Sequence, residues 1–334
     1  MKQLKNIGIP RLTEESSIEQ FAAFNKQMAM LQKNLSQLEI INPTSKRQPA
    51  KAGGFELTLK RTKDMQIELF DRKTAAQIVE SGDYSNTKVL IGLSGGINSM
   101  TLLCQLAQLP VGQHPKELHL YYAHIIEHSP DTEAFVLAGV DYAKTHFADV
   151  RYTQTTVSVL DFFRSIHIIP HPTRGFCTDK LKVGPMYEYA VRHNIQLDLV
   201  GYVREEKKRA DKMYSKDPNL AYYKGFPLLN VSNEECFSIV KAEIGWYPAI
   251  YDLIDEKGKR IFSHNNCLPC KNMHMALLRQ VAKYYPEYME RAVALSAELR
   301  AFWGRSAVDF YTEFGREDYQ TDYKTQPCQV CAFD

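Results

Sequence analysis

No apolar run in this 334-residue chain approaches the roughly 20 residues that a membrane span requires. The opening Met1-Lys2-Gln3-Leu4-Lys5 also lacks the hydrophobic core of a secretory signal, so no membrane partner is expected and the cytoplasm is the expected compartment. An excess of one charge is missing too. Lys and Arg total 41 against 39 Asp and Glu, a formal +2 that leaves any nucleic-acid contact to local basic clusters. Seven cysteines, an odd number, argue against a disulfide scaffold. There is no Gly-Lys-Ser/Thr ending of a Walker loop, no Gly-x-Gly-x-x-Gly dinucleotide fingerprint, no internal repeat and no low-complexity tract. What is present, 44% hydrophobic and 24% charged residues, is ordinary for a globular protein of more than one average domain.

The most informative stretch runs from Val89 to Ser99. Val89–Leu93 is a short β-prone apolar run, Gly95 and Gly96 can take positive φ, and apolar periodicity resumes from Met100 to Leu109. A strand is therefore expected to break into a glycine turn that opens a helix. Backbone N–H groups converge in such a turn and the helix end adds about half a positive charge, so a phosphate is held without a lysine. Ser94 and Ser99 can add hydroxyl donors. A turn whose glycines serve only close packing is the plainer alternative.

Three segments are expected along the chain. Residues 1–85 read as an appendage: an amphipathic helix over Ile18–Leu38 that packs on the core or on a second subunit, giving a homodimer, then a linker over 42–54 and a hairpin of 55–59 with 65–70. A short helix from Thr74 follows. Residues 86–235 alternate strands (Val89–Leu93, Leu118–Ala123, Val150–Thr155, Leu197–Gly201) with helices (Ser99–Leu109, Thr132–Phe147, Val157–Ile166, Gly184–His193), the pattern of an α/β parallel sheet with Rossmann-like topology. Ligands of such sheets collect at the C-terminal strand ends, where Ser94, His124 and Gly201 are expected. Residues 236–334 read as helical, with a long helix from Met273 to Phe302 and the pairs Cys267-x-x-Cys270 and Cys328-x-x-Cys331. Cys104 and Cys236 are expected to be packing residues.

Four segments accompany the loop. His124 to Glu133 follows a strand and brings acidic and imidazole groups. Arg174-Gly-Phe-Cys177-Thr-Asp-Lys-Leu-Lys182 combines cations with a cysteine, and Gly201-Tyr-Val-Arg204-Glu-Glu-Lys-Lys-Arg209 offers two arginines to an anion. Phe226-Pro-Leu-Leu-Asn230, then Tyr251-Asp252, lead to Cys267.

Ser94-Gly-Gly-x-x-Ser99 after a strand resembles the PP-loop of the ATP pyrophosphatase superfamily, and the order of the other segments over residues 86–275 resembles its phosphoadenosine phosphosulfate (PAPS) reductase family. The intact loop and the Arg-x-x-Cys-Thr element are similar above all to the iron-sulfur ATP pyrophosphatases of DNA phosphorothioation. The Glu-Cys-Gly-x-His tail of the assimilatory reductases is missing. The resemblance implies a PP-loop core and an enzyme that takes ATP with Mg²⁺, attaches AMP to an oxygen, releases pyrophosphate and lets a sulfur nucleophile displace AMP. A cysteine desulfurase as sulfur donor and a nucleic acid as acceptor would fit that scheme. It also implies that Ser94, Gly95, Gly96 and Ser99 bind phosphate and that Arg174, Lys182, Arg204 and Arg209 neutralise substrate charge, Arg204 at the reacting centre. The family's usual Asp is here Asn98, which keeps a carbonyl oxygen for a metal ion or a phosphate-bound water but no charge. Two other functions stay open: a PAPS or adenylylsulfate reductase, and a nucleotide sensor that does not cleave.

By the same resemblance Cys177, Cys267 and Cys270 match three ligands of a 4Fe-4S cluster; the fourth is open, and Cys328 or Cys331 could supply it as a thiolate. A structural Zn²⁺ joining the two pairs is one alternative. A mobile Cys328/Cys331 thiol pair, with Cys331 relaying sulfur, is another. His124, His171 and His264 stand near these elements in sequence.

Overall fold

A computed structural model describes residues 72–168, 170, 176–216 and 223–303. The N-terminal amphipathic helix, linker and hairpin, together with His171, Arg174, Cys328 and Cys331, lie outside the described residues. Helix α1 (Arg72–Ser81) leads into strand β1 (Lys88–Gly92), whose three central residues are fully buried. Then come α2 (Ile97–Ala107), β2 (Glu117–Ile125), α3 (Thr132–His146), β3 (Val150–Val157) and α4 (Val159–Ser165). After a π-helical turn at Asp179–Val183 follow α5 (Gly184–Arg192), β4 (Leu197–Leu199), α6 (Lys207–Lys216) and β5 (Tyr223–Gly225). Helices α7 (Asn233–Glu243), α8 (Met275–Tyr284) and α9 (Pro286–Trp303) complete the order.

The strands form one parallel sheet in the order β3-β2-β1-β4-β5, with Val89 opposite both Leu118 and Leu197. This is the expected α/β Rossmann-like core. Its order reverses between β1 and β4, the kind of switch point at which a crevice lies outside the C-terminal strand ends. β4 stops at Leu199, two residues short of the expected strand, and β5 was not expected because Tyr-Lys-Gly contains no apolar run. The latter pairs because its register sets Lys224 beside Asp198, Nζ to Oδ2 2.6 Å, in a nearly buried ion pair.

One face of the sheet carries α2, α3 and the C-terminal helices around a core that runs from Tyr84 to Leu299; the other carries α5 over Leu90, Tyr121, Tyr189 and Ile195. Each large side chain so buried stabilises by about 1.5–3 kcal/mol. Cys104 and Cys236 are fully buried in this core, as expected of packing residues. The single helix expected over Met273–Phe302 is two helices. Pro286 has no N–H to continue α8, so the chain turns at Tyr285 and proline opens α9 instead. α7 starts in a capping box between Ser232 and Glu235.

Candidate functional site

The turn after β1 is wound around its own serines. Ser94 N–H donates to Ser99 Oγ (3.2 Å), Gly96 N–H donates to Ser94 Oγ (3.3 Å), and Ser99 Oγ donates to the Gly96 carbonyl (3.0 Å). Gly95 sits at φ +75°, and a Cβ there would stand 2.2 Å from Thr132 Cγ2, so the turn closes against the start of α3 only with glycine. At Gly201, a Cβ would stand 2.8 Å from the Asn98 carbonyl oxygen; glycine lets the segment after β4 touch the loop after β1.

The loop is also held from the C-terminal region. Tyr251 Oη accepts from the N–H groups of Ile97 (3.2 Å) and Asn265 (3.1 Å), and the Asn265 amide donates to the Gly95 carbonyl (3.0 Å) and Thr132 Oγ1 (2.8 Å). Asn265 lies two residues before Cys267, so one short segment carries both the loop's brace and the cysteine pair.

Ser94, Gly96, Asn98 and Ser99 line a cavity of about 770 Å³, and Cys177, Cys267 and Cys270 line the same cavity. Lys182, Gly201, Arg209 and His264 face it as well, while Tyr121, Met186, Leu199 and Tyr202 give it an apolar wall. Gly95 packs against Thr132 and is not among the lining residues. Two expected site residues point elsewhere. Arg204 is 57% exposed at its side chain and donates to the Asn230 carbonyl and Glu235, while its backbone N–H donates to the Val231 carbonyl. His124 stands outside the cavity lining, with Nδ1 3.5 Å from Glu133 Oε1 and 3.3 Å from Gln154 Nε2.

The cavity holds groups that the sequence did not single out. His128 is buried with Nε2 3.7 Å from Cys267 Sγ and Nδ1 without a hydrogen-bond partner. Burial, then the positive charge of Lys182, hold it well below the usual imidazole range, so it is neutral. Burial pushes the Cys267 thiol up while Lys182 draws it back, and burial pushes Cys270 up as well. As thiols both are protonated at neutral pH; a metal takes the place of that proton. Among the described residues no group of three or more His, Cys, Asp or Glu is disposed to hold a single metal ion. Three thiols in one cavity are the donor chemistry of an iron-sulfur cluster rather than of a hard cation. The sequence signals for the missed residues were faint: His128 follows His124 by four positions in the same segment, and Asn265 has no motif of its own.

A parallel α/β core with a serine-bearing glycine turn at its switch point defines a protein of the Rossmann-like class. No family model and no curated protein matches the chain. Solved structures similar to it include the PAPS reductase of Candida auris in a phosphate complex, 14% identical over 49% of this chain and 76% of that one, TM-score 0.36. The U34-tRNA thiolase NcsA of Methanococcus maripaludis with its 4Fe-4S cluster is 12% identical over 80% of this chain and 89% of that one, TM-score 0.39. The NMN synthetase of Francisella tularensis is 13% identical over 67% and 89%, TM-score 0.37. Among the described residues no helix is long and apolar enough to cross a membrane.

Proposed function

We propose that the protein is an enzyme that binds ATP with Mg²⁺ in this cavity, transfers AMP to an oxygen of its substrate, and replaces that oxygen with sulfur. The observation that carries the reading is the shared cavity: the glycine loop and Cys177, Cys267 and Cys270 face one space, so a phosphate-holding turn and three thiols can meet one substrate. In this reading the hydroxyls of Ser94 and Ser99 and the N-terminal end of α2 receive the departing pyrophosphate. Lys182 and Arg209 offset phosphate charge, and the apolar wall of Tyr121, Leu199 and Tyr202 takes the base. Cys177, Cys267 and Cys270 would hold a 4Fe-4S cluster, which when bound supplies redox-active iron and a soft site for sulfur. The acceptor implied by the sequence resemblance is a nucleic acid, and the sulfur donor a cysteine desulfurase.

Equilibrium binding of Mg-ATP and of PAPS, side by side, to anaerobically prepared protein tests the reading. Tighter ATP binding is the expected result, followed by release of AMP and pyrophosphate when acceptor is present. Tighter PAPS binding would make the protein a sulfonucleotide reductase instead. A second reading, a sensor that binds ATP without cleaving it, is favoured by the uncharged Asn98. Pyrophosphatase activity gained only in Asn98→Asp would support it.

Iron and acid-labile sulfide are expected together in anaerobic preparations. Cys267→Ser is expected to lose most of the iron yet keep ATP affinity within about twofold, since the loop's own hydrogen bonds do not involve the thiol. Iron retained in that variant would remove Cys267 from the ligand set.

A further inference from the structure

His128 is a buried cavity group that the proposed reaction leaves without a task. It lies in the turn after β2, where its backbone N–H donates to the Ile125 carbonyl (3.1 Å), and the residue is only 4% exposed. Its two ring nitrogens differ. Nε2 lies 3.7 Å from Cys267 Sγ, while Nδ1 is buried without a hydrogen-bond partner. The backbone beside them holds imidazole and thiol in place, since the Glu127 carbonyl accepts from Leu268 N–H at 2.5 Å. Both side chains line the cavity.

The unpartnered nitrogen fixes the tautomer. An N–H on Nδ1 would be a buried donor with no acceptor, which folded proteins rarely keep, so the ring's hydrogen sits on Nε2 and faces the sulfur. A thiol is a weak acceptor, whereas a thiolate is a strong one because the bond is then charge-assisted. The contact is therefore worth most after Cys267 has exchanged its proton for a metal. Lys182 reaches the same sulfur and adds charge to this directed bond. Each iron of a 4Fe-4S cluster takes one protein ligand, so a nitrogen lying against a ligand sulfur is placed to bond that sulfur and not its iron.

We propose that His128 is a positioning residue for the cysteine site, donating Nε2–H to the Cys267 thiolate and so setting the electron density on that ligand. This rests on the reading of Cys177, Cys267 and Cys270 as cluster ligands. A donated N–H offsets charge on the sulfur, so it favours the reduced cluster and raises the reduction potential.

Two variants of the full chain, prepared anaerobically, test the role. His128→Gln keeps an N–H donor at the end of its side chain, and His128→Leu has none. Iron and acid-labile sulfide are measured per chain, and the cluster is titrated through reduction with electron paramagnetic resonance as the readout. His128→Leu is expected to shift the potential to a more negative value, and His128→Gln to recover most of that shift. Where His128→Leu fails to retain iron, retention by His128→Gln supports the donor role. Iron lost from His128→Gln, an unchanged or higher potential in His128→Leu, or equal shifts in the two variants overturns it. Absence of iron and sulfide from the wild-type protein overturns the cluster reading and the role of His128 together, which sets that failure apart from a misassigned donor.

Discussion

Gly95→Ala is expected to lower ATP affinity by about a hundredfold or more and to destabilise the fold by about 3–4 kcal/mol. Two separate costs add. A non-glycine residue at φ +75° costs roughly 1–2 kcal/mol, and a methyl group placed 2.2 Å from Thr132 Cγ2 forces the loop off α3, an overpacking cost of about 1–3 kcal/mol. Neither is absorbed locally. The Gly95 carbonyl is tied to Asn265, and Ile97 N–H to Tyr251, so movement at Gly95 strains the segment that carries Cys267. Thr132→Ser separates the two costs: it removes the offending Cγ2 and keeps Oγ1 for the Asn265 amide. The double variant Gly95→Ala/Thr132→Ser is expected to recover about half of the lost stability in urea titrations and only part of the affinity. ATP binding at wild-type strength in Gly95→Ala would mean that the turn is a packing device and that nucleotide, if bound, sits elsewhere.

The sequence showed that turn because its chemistry is local. A buried β-prone run, two glycines and a resumed helical period lie within about 20 residues, and the structure places the strand, turn and helix there. Ser94, Asn98, Ser99, Lys182, Gly201, Arg209 and three of the cysteines also reach one cavity, and those in the segments after β1 and β4 are gathered there by the parallel sheet. The break at Pro286 was written in the sequence and outweighed by the apolar periodicity on both sides. Other features were not local. β5 exists only as a partner of β4, and Asn265 braces Gly95 across 170 positions. Arg204 and Arg209 look alike as cations in one motif, yet a five-residue step along a turn sends one to Asn230 and Glu235 and the other to Glu206 and the cavity.

Glu127→Ala is expected to cost about 3–5 kcal/mol of stability and to lower iron content with it. Glu127 is 1% exposed, accepts from Ser158 Oγ (2.5 Å) and Val159 N–H (2.8 Å) at the start of α4, and meets Arg291 of α9 at 3.2 Å. Removing it strands a buried hydroxyl and a helix-end N–H at once, and each orphaned group costs roughly 1–3 kcal/mol. The Arg291 contact adds little, because that side chain is 45% exposed and water can replace its partner. Arg291→Ala is therefore expected to cost under about 1 kcal/mol. The consequence reaches the cysteines through the backbone: the Glu127 carbonyl accepts from Leu268 N–H at 2.5 Å, and the next residue, His128, contacts Cys267. Urea midpoints and iron per chain, measured on both variants, separate the accounts. Equal losses in Glu127→Ala and Arg291→Ala would mean that the ion pair, and not the capped helix end, holds the cysteine turn against the sheet.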